Sequence, residues 1–224
     1  DLINAKLFWE AALFDAVTWA TELDELGVAK EVTNRLVEPF QLVKVVCTAT
    51  DWENFFNLRL HPDADPNICM LAYKMYEAMQ ESKPFKLKAG EWHLPYVERE
   101  RNNGKLEYFI YEENDIGYFG KKYVPLEQAI KISSSCTAQT SYRKNDTSVE
   151  KADKIHDMLI KADVLHASPF AHLATPIEFD LTNQVATNLP FEPETWEQGI
   201  THVTKDGVLC SGNLQGWIQY RQLI

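Results

Sequence analysis

Apolar residues recur at helical spacing from the start of the chain: Leu7, Phe14 and Val17, then Trp19, Leu23 and Leu26, with Gly27 placed to end the helix. A second helix is expected over residues 28–37, stopped ahead of Pro39. "QLVKVVCTAT", Gln41 to Thr50, is β-branched but too short for its period to separate a strand from a buried helical turn, and it is assigned to helix or a mixed turn. Thr50 and Glu53 stand three apart, as a capping box requires, which predicts a helix starting near Asp51 and carrying Asn54, Phe55 and Arg59. "HPDADPN" breaks that helix, and Asp65 with Pro66 caps and opens the next, "NICMLAYKMYEAM", which ends before Pro84.

From about Gly90 to Val124 the helical period disappears, and Asn103-Gly104 reads as a hairpin turn between strands. Pro125 then opens a helix through "LEQAIKISSSCTAQTSY", and Thr147 with Glu150 forms a second capping box ahead of "KADKIHDMLIKADV". "LHASPFAHLATP" reads as a loop or short turn. The tail from Ile177 to Gly212 is rich in proline, threonine and asparagine, and "GNLQGWIQYRQLI" closes the chain with a short apolar element. The pattern predicts an α+β fold, helices packed around a small mixed or antiparallel sheet. Its segments are a helical part over 1–89, a β insertion over 90–124 and a further part over 125–224.

Composition narrows the function classes. The 224 residues are 45% hydrophobic and 25% charged, enough apolar material for one sizeable core or two small ones. A formal net charge of −11 argues against a general nucleic-acid binder, which needs a basic face to release counterions, but leaves room for a local cationic pocket holding one phosphate. No apolar run has the length of a membrane span, so no membrane partner is expected. Cys47, Cys69, Cys136 and Cys210 are far apart and form no CxxC pair, which points to reduced thiols and a cytoplasmic location.

His166 and His172 flank "ASPFA" at a spacing of six, which fits no zinc pattern. No serine lies in a GxSxG elbow, no cysteine has an electropositive local context, and neither GxGxxG nor a P-loop is present, so hydrolase, Rossmann and P-loop chemistry lack a motif. Two arginines stand in apolar runs, Arg35 in "EVTNRLVEPF" and Arg59 in "TATDWENFFNLRL". Each has a plain reading: Arg35 as a cation at a helix C-terminus, Arg59 as a stem lying on apolar surface or paired with a carboxylate. Taken together they suggest a pocket for an anion or a polarised carbonyl.

Two blocks then carry a family likeness. "ELGVAKEVTNRLVEPFQLVKVVCTATDWENFFNLRLHPDADPNI" resembles the C-terminal active-site half of the flavin-dependent thymidylate synthases, a family that typically shows an arginine ahead of a proline and an N-x-R-x-L-x-x-F-x-x-[LM]-R run. "CTAQTSYRKNDTSVEKADKIHDMLIKADVLHASPFAH" resembles that family's N-terminal part, with its A-R-V-S-Y-like helix end and H-x-[ST]-P-F-E-H turn. The blocks cover a little over one third of the chain and stand in reversed order. That order is similar to a circularly permuted, phage-type branch, which "AGEWHLPYV" and "GNLQGWIQYRQL" also resemble.

The resemblance implies methylation of dUMP to dTMP using FAD, NADPH and methylenetetrahydrofolate. It makes Arg35 and Arg59 the dUMP ligands and turns Thr48, Ala49, Thr50, Asn54, Ser168 and His166 toward FAD, with His172 as framework. No side-chain nucleophile is implied, since the chemistry belongs to the flavin and the folate. Asn54 and Arg59 diverge by about 140° on a helix, so one helix can serve flavin and nucleotide, or two sites of a homo-oligomer. The chain also departs from the pattern. Asp65 and Asn67 replace Gln and Glu, Ala171 replaces the Glu of the histidine turn, and Thr48 and Thr50 replace Asn and Arg. The family's arginine- and serine-rich loop has no counterpart in these residues, which implies that a second polypeptide or an upstream segment completes the site, with Asp1 an internal junction. The same departures leave open a non-catalytic scaffold or nucleotide-binding subunit, and pyrimidine hydroxymethylation is a close chemical variant.

Overall fold

A computed structural model describes residues 1–113, 117–141, 145–178 and 193–224. The chain divides into two compact units, Asp1–Lys44 and Val45–Ile224.

In the first unit, α1 (Leu2–Glu25) starts on Asp1, whose carboxylate accepts from the Ile3 amide at 3.3 Å. Its end is the predicted one. Gly27 takes φ +79°, and the Gly27 and Val28 amides bond back to the Asp24 and Leu23 carbonyls, a Schellman closure that a Cβ would strain. None of its residues is buried, and its large apolar side chains, Phe8, Trp9, Phe14 and Trp19 among them, are exposed. The Trp9 and Phe40 rings meet at 4.9 Å. The helix expected over 28–37 is instead one α-turn, α2 (Lys30–Thr33), running into 3₁₀ turns at Asn34–Leu36 and Glu38–Phe40. The β-branched pair Val32-Thr33 and the missing amide of Pro39 favour the shorter, tighter turns.

Residues 41–49 are also a correction, for they form neither helix nor turn. Leu42, Val43 and Val45 are exposed there, so no packing offsets the poor helix propensity of β-branched residues.

In the second unit, α3 (Glu53–Arg59) has Trp52 as its N-cap with no side-chain cap bond, and the Asp51 carboxylate, not Thr50, accepts from the Glu53 amide at 3.0 Å. The Thr50–Glu53 capping box therefore does not form; the Thr50 hydroxyl is engaged elsewhere, as described below. α4 (Pro66–Glu81) starts as predicted, Asp65 accepting from the Asn67 and Ile68 amides. Trp52, Phe55, Phe56 and Tyr76 form one aromatic cluster between these helices.

Strands β1 (Glu98–Asn102), β2 (Lys105–Glu113) and β3 (Phe119–Val124) form an antiparallel sheet in that order. Asn103 and Gly104 both adopt positive φ, 49° and 84°, as a two-residue hairpin with right-twisted strands demands. The sheet's inner face supplies Tyr108, Ile110 and Val124 to the core, which they share with α5 (Leu126–Ala138). Ala129, Ile132, Ser133 and Cys136 form the buried stripe of α5 at helical spacing. The helix stops at Ala138, short of the expected end. The fully buried Gln139 side chain exchanges hydrogen bonds with the Asp146 backbone and tethers the return of the chain. Tyr142, part of the family-like helix end, lies outside the described residues.

α6 (Val149–Lys161) packs on α5 and is capped one residue later than predicted, by Ser148 accepting from the Lys151 amide. A 3₁₀ turn, Pro169–His172, leads into β4 (Ala174–Pro176), which pairs with β8 (Trp217–Gln219). β5 (His202–Val203), β6 (Leu209–Ser211) and β7 (Leu214–Gln215) make a third small sheet. The fold class is α+β, and every strand pair among the described residues is antiparallel. No helix among those residues is long and apolar enough to cross a membrane, and all four cysteines are free thiols.

Candidate functional site

Four distant segments, one of them contributing Ala174, meet at one cleft of the second unit. The segment leading into α3 brings Thr48, Ala49 and Thr50. The segment before β1 brings His93, and the end of the chain brings Leu214, Gln215 and Trp217, enclosing about 340 Å³. Backbone pairing sets this meeting. His93 donates to the Ala174 carbonyl at 2.7 Å and accepts from the Ala174 amide at 3.2 Å, while β4 carries β8 on its other edge. Thr48 Oγ1 lies 3.1 Å from His172 Nδ1, and the Gln215 amide donates to Thr50 Oγ1 at 2.9 Å. The two threonines that stand where the family shows Asn and Arg therefore bind the walls of the cleft with their hydroxyls.

Its electrostatics are one-sided. Burial pushes the His93 ring down to about 4, with the nearby Arg99 and His172 adding to the effect. Burial and the charge of Arg221 likewise lower His172. Both imidazoles are thus neutral at neutral pH. Arg99 lies in β1 with its guanidinium 5.5 Å from the Phe85 ring and its buried Nε without a partner. Arg221 is half-buried, and like Arg99 it has no carboxylate partner among the described residues. This contrasts with Arg101, held by Glu91 through two contacts of 2.7 Å that keep the Glu91 carboxyl at about 2.

Gly212 lets the chain close beside Arg221. It has φ +57°, and a Cβ there would lie 2.5 Å from Gln219 Oε1 and 3.5 Å from Arg221 Nη2. Gln219 Oε1 is itself buried and unpartnered, although its amide nitrogen donates to Asn213 Oδ1. The cleft offers a neutral imidazole, threonine hydroxyls and an indole wall, with the charges of Arg99 and Arg221 acting on its two neighbouring histidines, a set that fits a planar, carbonyl-bearing ring. Flavin and pyrimidine nucleotides both have that chemistry.

Of the residues singled out in the sequence, Thr48, Ala49 and Thr50 line this cleft and His172 abuts it. His166 lines a different depression along α6, with Met158 and Leu159, and its amide donates to the Leu159 carbonyl at 3.1 Å. Ser168 is exposed at the start of the 3₁₀ turn, and Asn54 is exposed on α3. Arg59, the last residue of α3, is exposed with no hydrogen-bond or ion-pair partner among the described residues. Arg35 belongs to the first unit, where its Nη1 pairs with Glu38 Oε1 at 2.9 Å, as a plain surface cation would.

Sequence reasoning passed over His93, Arg99, Trp217 and Arg221. The signal available for three of them was their place in "GEWHLP" and "GWIQYRQL", the same stretches that carry the likeness to the permuted branch. No protein-family model, no curated protein and no solved structure matches the chain.

Proposed function

We propose that the chain is a flavin-dependent enzyme of pyrimidine nucleotide methylation, converting dUMP to dTMP with FAD, NADPH and methylenetetrahydrofolate. The observation that supports this reading is the convergence on one cleft of Thr48–Thr50, the "HASPFAH" turn, "GEWH" and "LQGW". These are the segments that carry the family likeness, and up to 165 residues separate the contacts between them. Bound FAD would supply the reducing chemistry at the one-carbon unit delivered by the folate.

The chain's own part is binding and orientation. Thr48 and Thr50 hold the cleft wall, His93 and His172 present neutral ring nitrogens, and Arg99 and Arg221 supply cationic charge that no carboxylate of the described chain neutralises. Arg59, exposed and without a partner among the described residues, is the proposed ligand of a nucleotide oxygen. The exposed apolar face of α1 and the few free cations fit a homo-oligomer, or a second polypeptide bringing an arginine- and serine-rich loop.

The test is purification with and without a fragment carrying that loop, followed by flavin absorbance and tritium release from C5-labelled dUMP. Yellow protein and dUMP-dependent release are expected once the loop is supplied. A preparation that takes up no FAD under either condition would overturn the enzyme reading in favour of a scaffold. Release of a hydroxymethylated product would move the reaction to the hydroxymethylation variant.

A further inference from the structure

We propose that His93 reads the imide edge of a planar heterocycle, an N–H flanked by two carbonyls, seated against Trp217 in the Thr48–Thr50 cleft. The inference rests on the reading above only for the class of ligand, since the uracil ring and the flavin ring share this edge.

The backbone around His93 is fully engaged. The Trp92 amide donates to the Tyr108 hydroxyl oxygen at 2.7 Å, that hydroxyl donates to the Trp92 carbonyl at 3.2 Å, and His93 exchanges two bonds with Ala174. The position is therefore rigid, locked on one side to β2 and on the other to β4. The ring nitrogens, in contrast, have no partner among the described residues. The other histidines differ. His61, His172 and His202 have ring-nitrogen partners, His156 has an unpartnered Nε2 but is buried edge-on to Phe170 and lines no part of the cleft, and His166 is exposed. His93 is half-buried and faces a cleft.

The chemistry of the opening selects the ligand. The charge that acts on His93 at neutral pH comes from Arg99 in β1, the neighbouring His172 in the turn before β4 being neutral, and neither group is acidic. A neutral imidazole in that setting offers one donor and one acceptor. It can accept from an imide N–H or donate to a flanking carbonyl, and the surrounding positive potential favours carbonyl oxygens. Thr50 adds a second donor, because its oxygen accepts from Gln215 and its own hydrogen remains available. Trp217 supplies an apolar face on which an aromatic ring can stack. A phosphate is the poorer occupant here, since the ring nearest to it carries no charge at neutral pH; Arg221 is the better partner for it.

The full chain is titrated with lumiflavin and with deoxyuridine, each compared with its N3-methyl derivative. The variants are His93→Leu, which keeps bulk without ring nitrogens, and His93→Gln, which keeps a donor and an acceptor. Thermal melting verifies that both fold. For whichever heterocycle binds, N3-methylation is expected to weaken binding to the parent chain by about tenfold or more, to cost little in His93→Leu, and to retain most of its penalty in His93→Gln. The lumiflavin and deoxyuridine arms show which ring occupies the cleft. An equal N3-methyl penalty in parent and His93→Leu, or binding of neither heterocycle, overturns the inference. Tritium release with no His93-dependent discrimination would remove this inference and leave the proposed function standing. Discrimination without any turnover would do the reverse.

Discussion

Thr48 Oγ1 and His172 Nδ1 lie 3.1 Å apart although 124 residues separate them in the chain. The contact joins the segment leading into α3 to the turn before β4, and it orients the imidazole by occupying one of its two nitrogens. Thr50 repeats the arrangement on the opposite wall through the Gln215 amide. Hydroxyls suit this task because each both donates and accepts, so a threonine can bind the protein and still face a ligand.

Thr48→Val keeps the shape and removes the hydroxyl. Its expected cost is about 1 kcal/mol of stability, read from urea unfolding, together with weaker binding of whichever ring occupies the cleft. Thr48→Ser should restore both. A Thr48→Val protein with unchanged stability and binding would mean that the His172 contact does not form in solution.

Arg59 is exposed at the end of α3 and has no partner among the described residues, so Arg59→Ala should change stability by less than about 0.5 kcal/mol. Its effect is expected on dUMP binding, weakened by about tenfold or more, with little rescue by Arg59→Lys, whose point charge cannot reproduce a planar fork. Normal dUMP affinity in Arg59→Ala would return this residue to a surface cation.

Stability should fall on mild acidification. The unfolded chain takes up a proton on His93 near its ordinary value of 6.5, whereas burial holds the folded ring at about 4. The unfolded state therefore binds more protons between those values, and the contribution is fully present above pH 6.5 and lost as pH falls through about 4. His172 and His156, both lowered by burial, act in the same direction. The Glu91 carboxyl, held at about 2 by Arg101, adds a further loss below its ordinary range. Urea midpoints at pH 7 and pH 5 should differ less in His93→Gln than in the parent; an identical drop would show that His93 is not shielded from water.

The apolar side chains of α1 are exposed, Phe8 and Phe14 at 73% and 72%. If self-association covers this face, sedimentation should show a species larger than one chain, and Phe14→Glu should shift it toward the monomer without loss of helical circular dichroism. A parent chain that sediments as a monomer at all concentrations would remove the homo-oligomer and leave the second polypeptide as the partner that covers α1.

Local rules made several elements legible in the sequence. Asp65 and Pro66 start α4, Gly27 ends α1 and Asn103-Gly104 turns the hairpin because each depends on backbone geometry within a few residues. The same reasoning singled out Thr48, Ala49 and Thr50 through family-like segments, and these three line a cleft. It misplaced the cap of α3, because nothing near Thr50 reveals that the Gln215 amide competes for its hydroxyl. Local pattern also could not decide residues 41–49, whose β-branched side chains suit a strand but find no pairing partner among the described residues. His93 and Trp217 became cleft residues, and Arg99 and Arg221 the cations acting on its histidines, only in three dimensions. Their charge, burial and unpaired atoms come from strand pairing between β4, β8 and the segment before β1, and such long-range pairing is set by packing, not by any residue's neighbours in sequence.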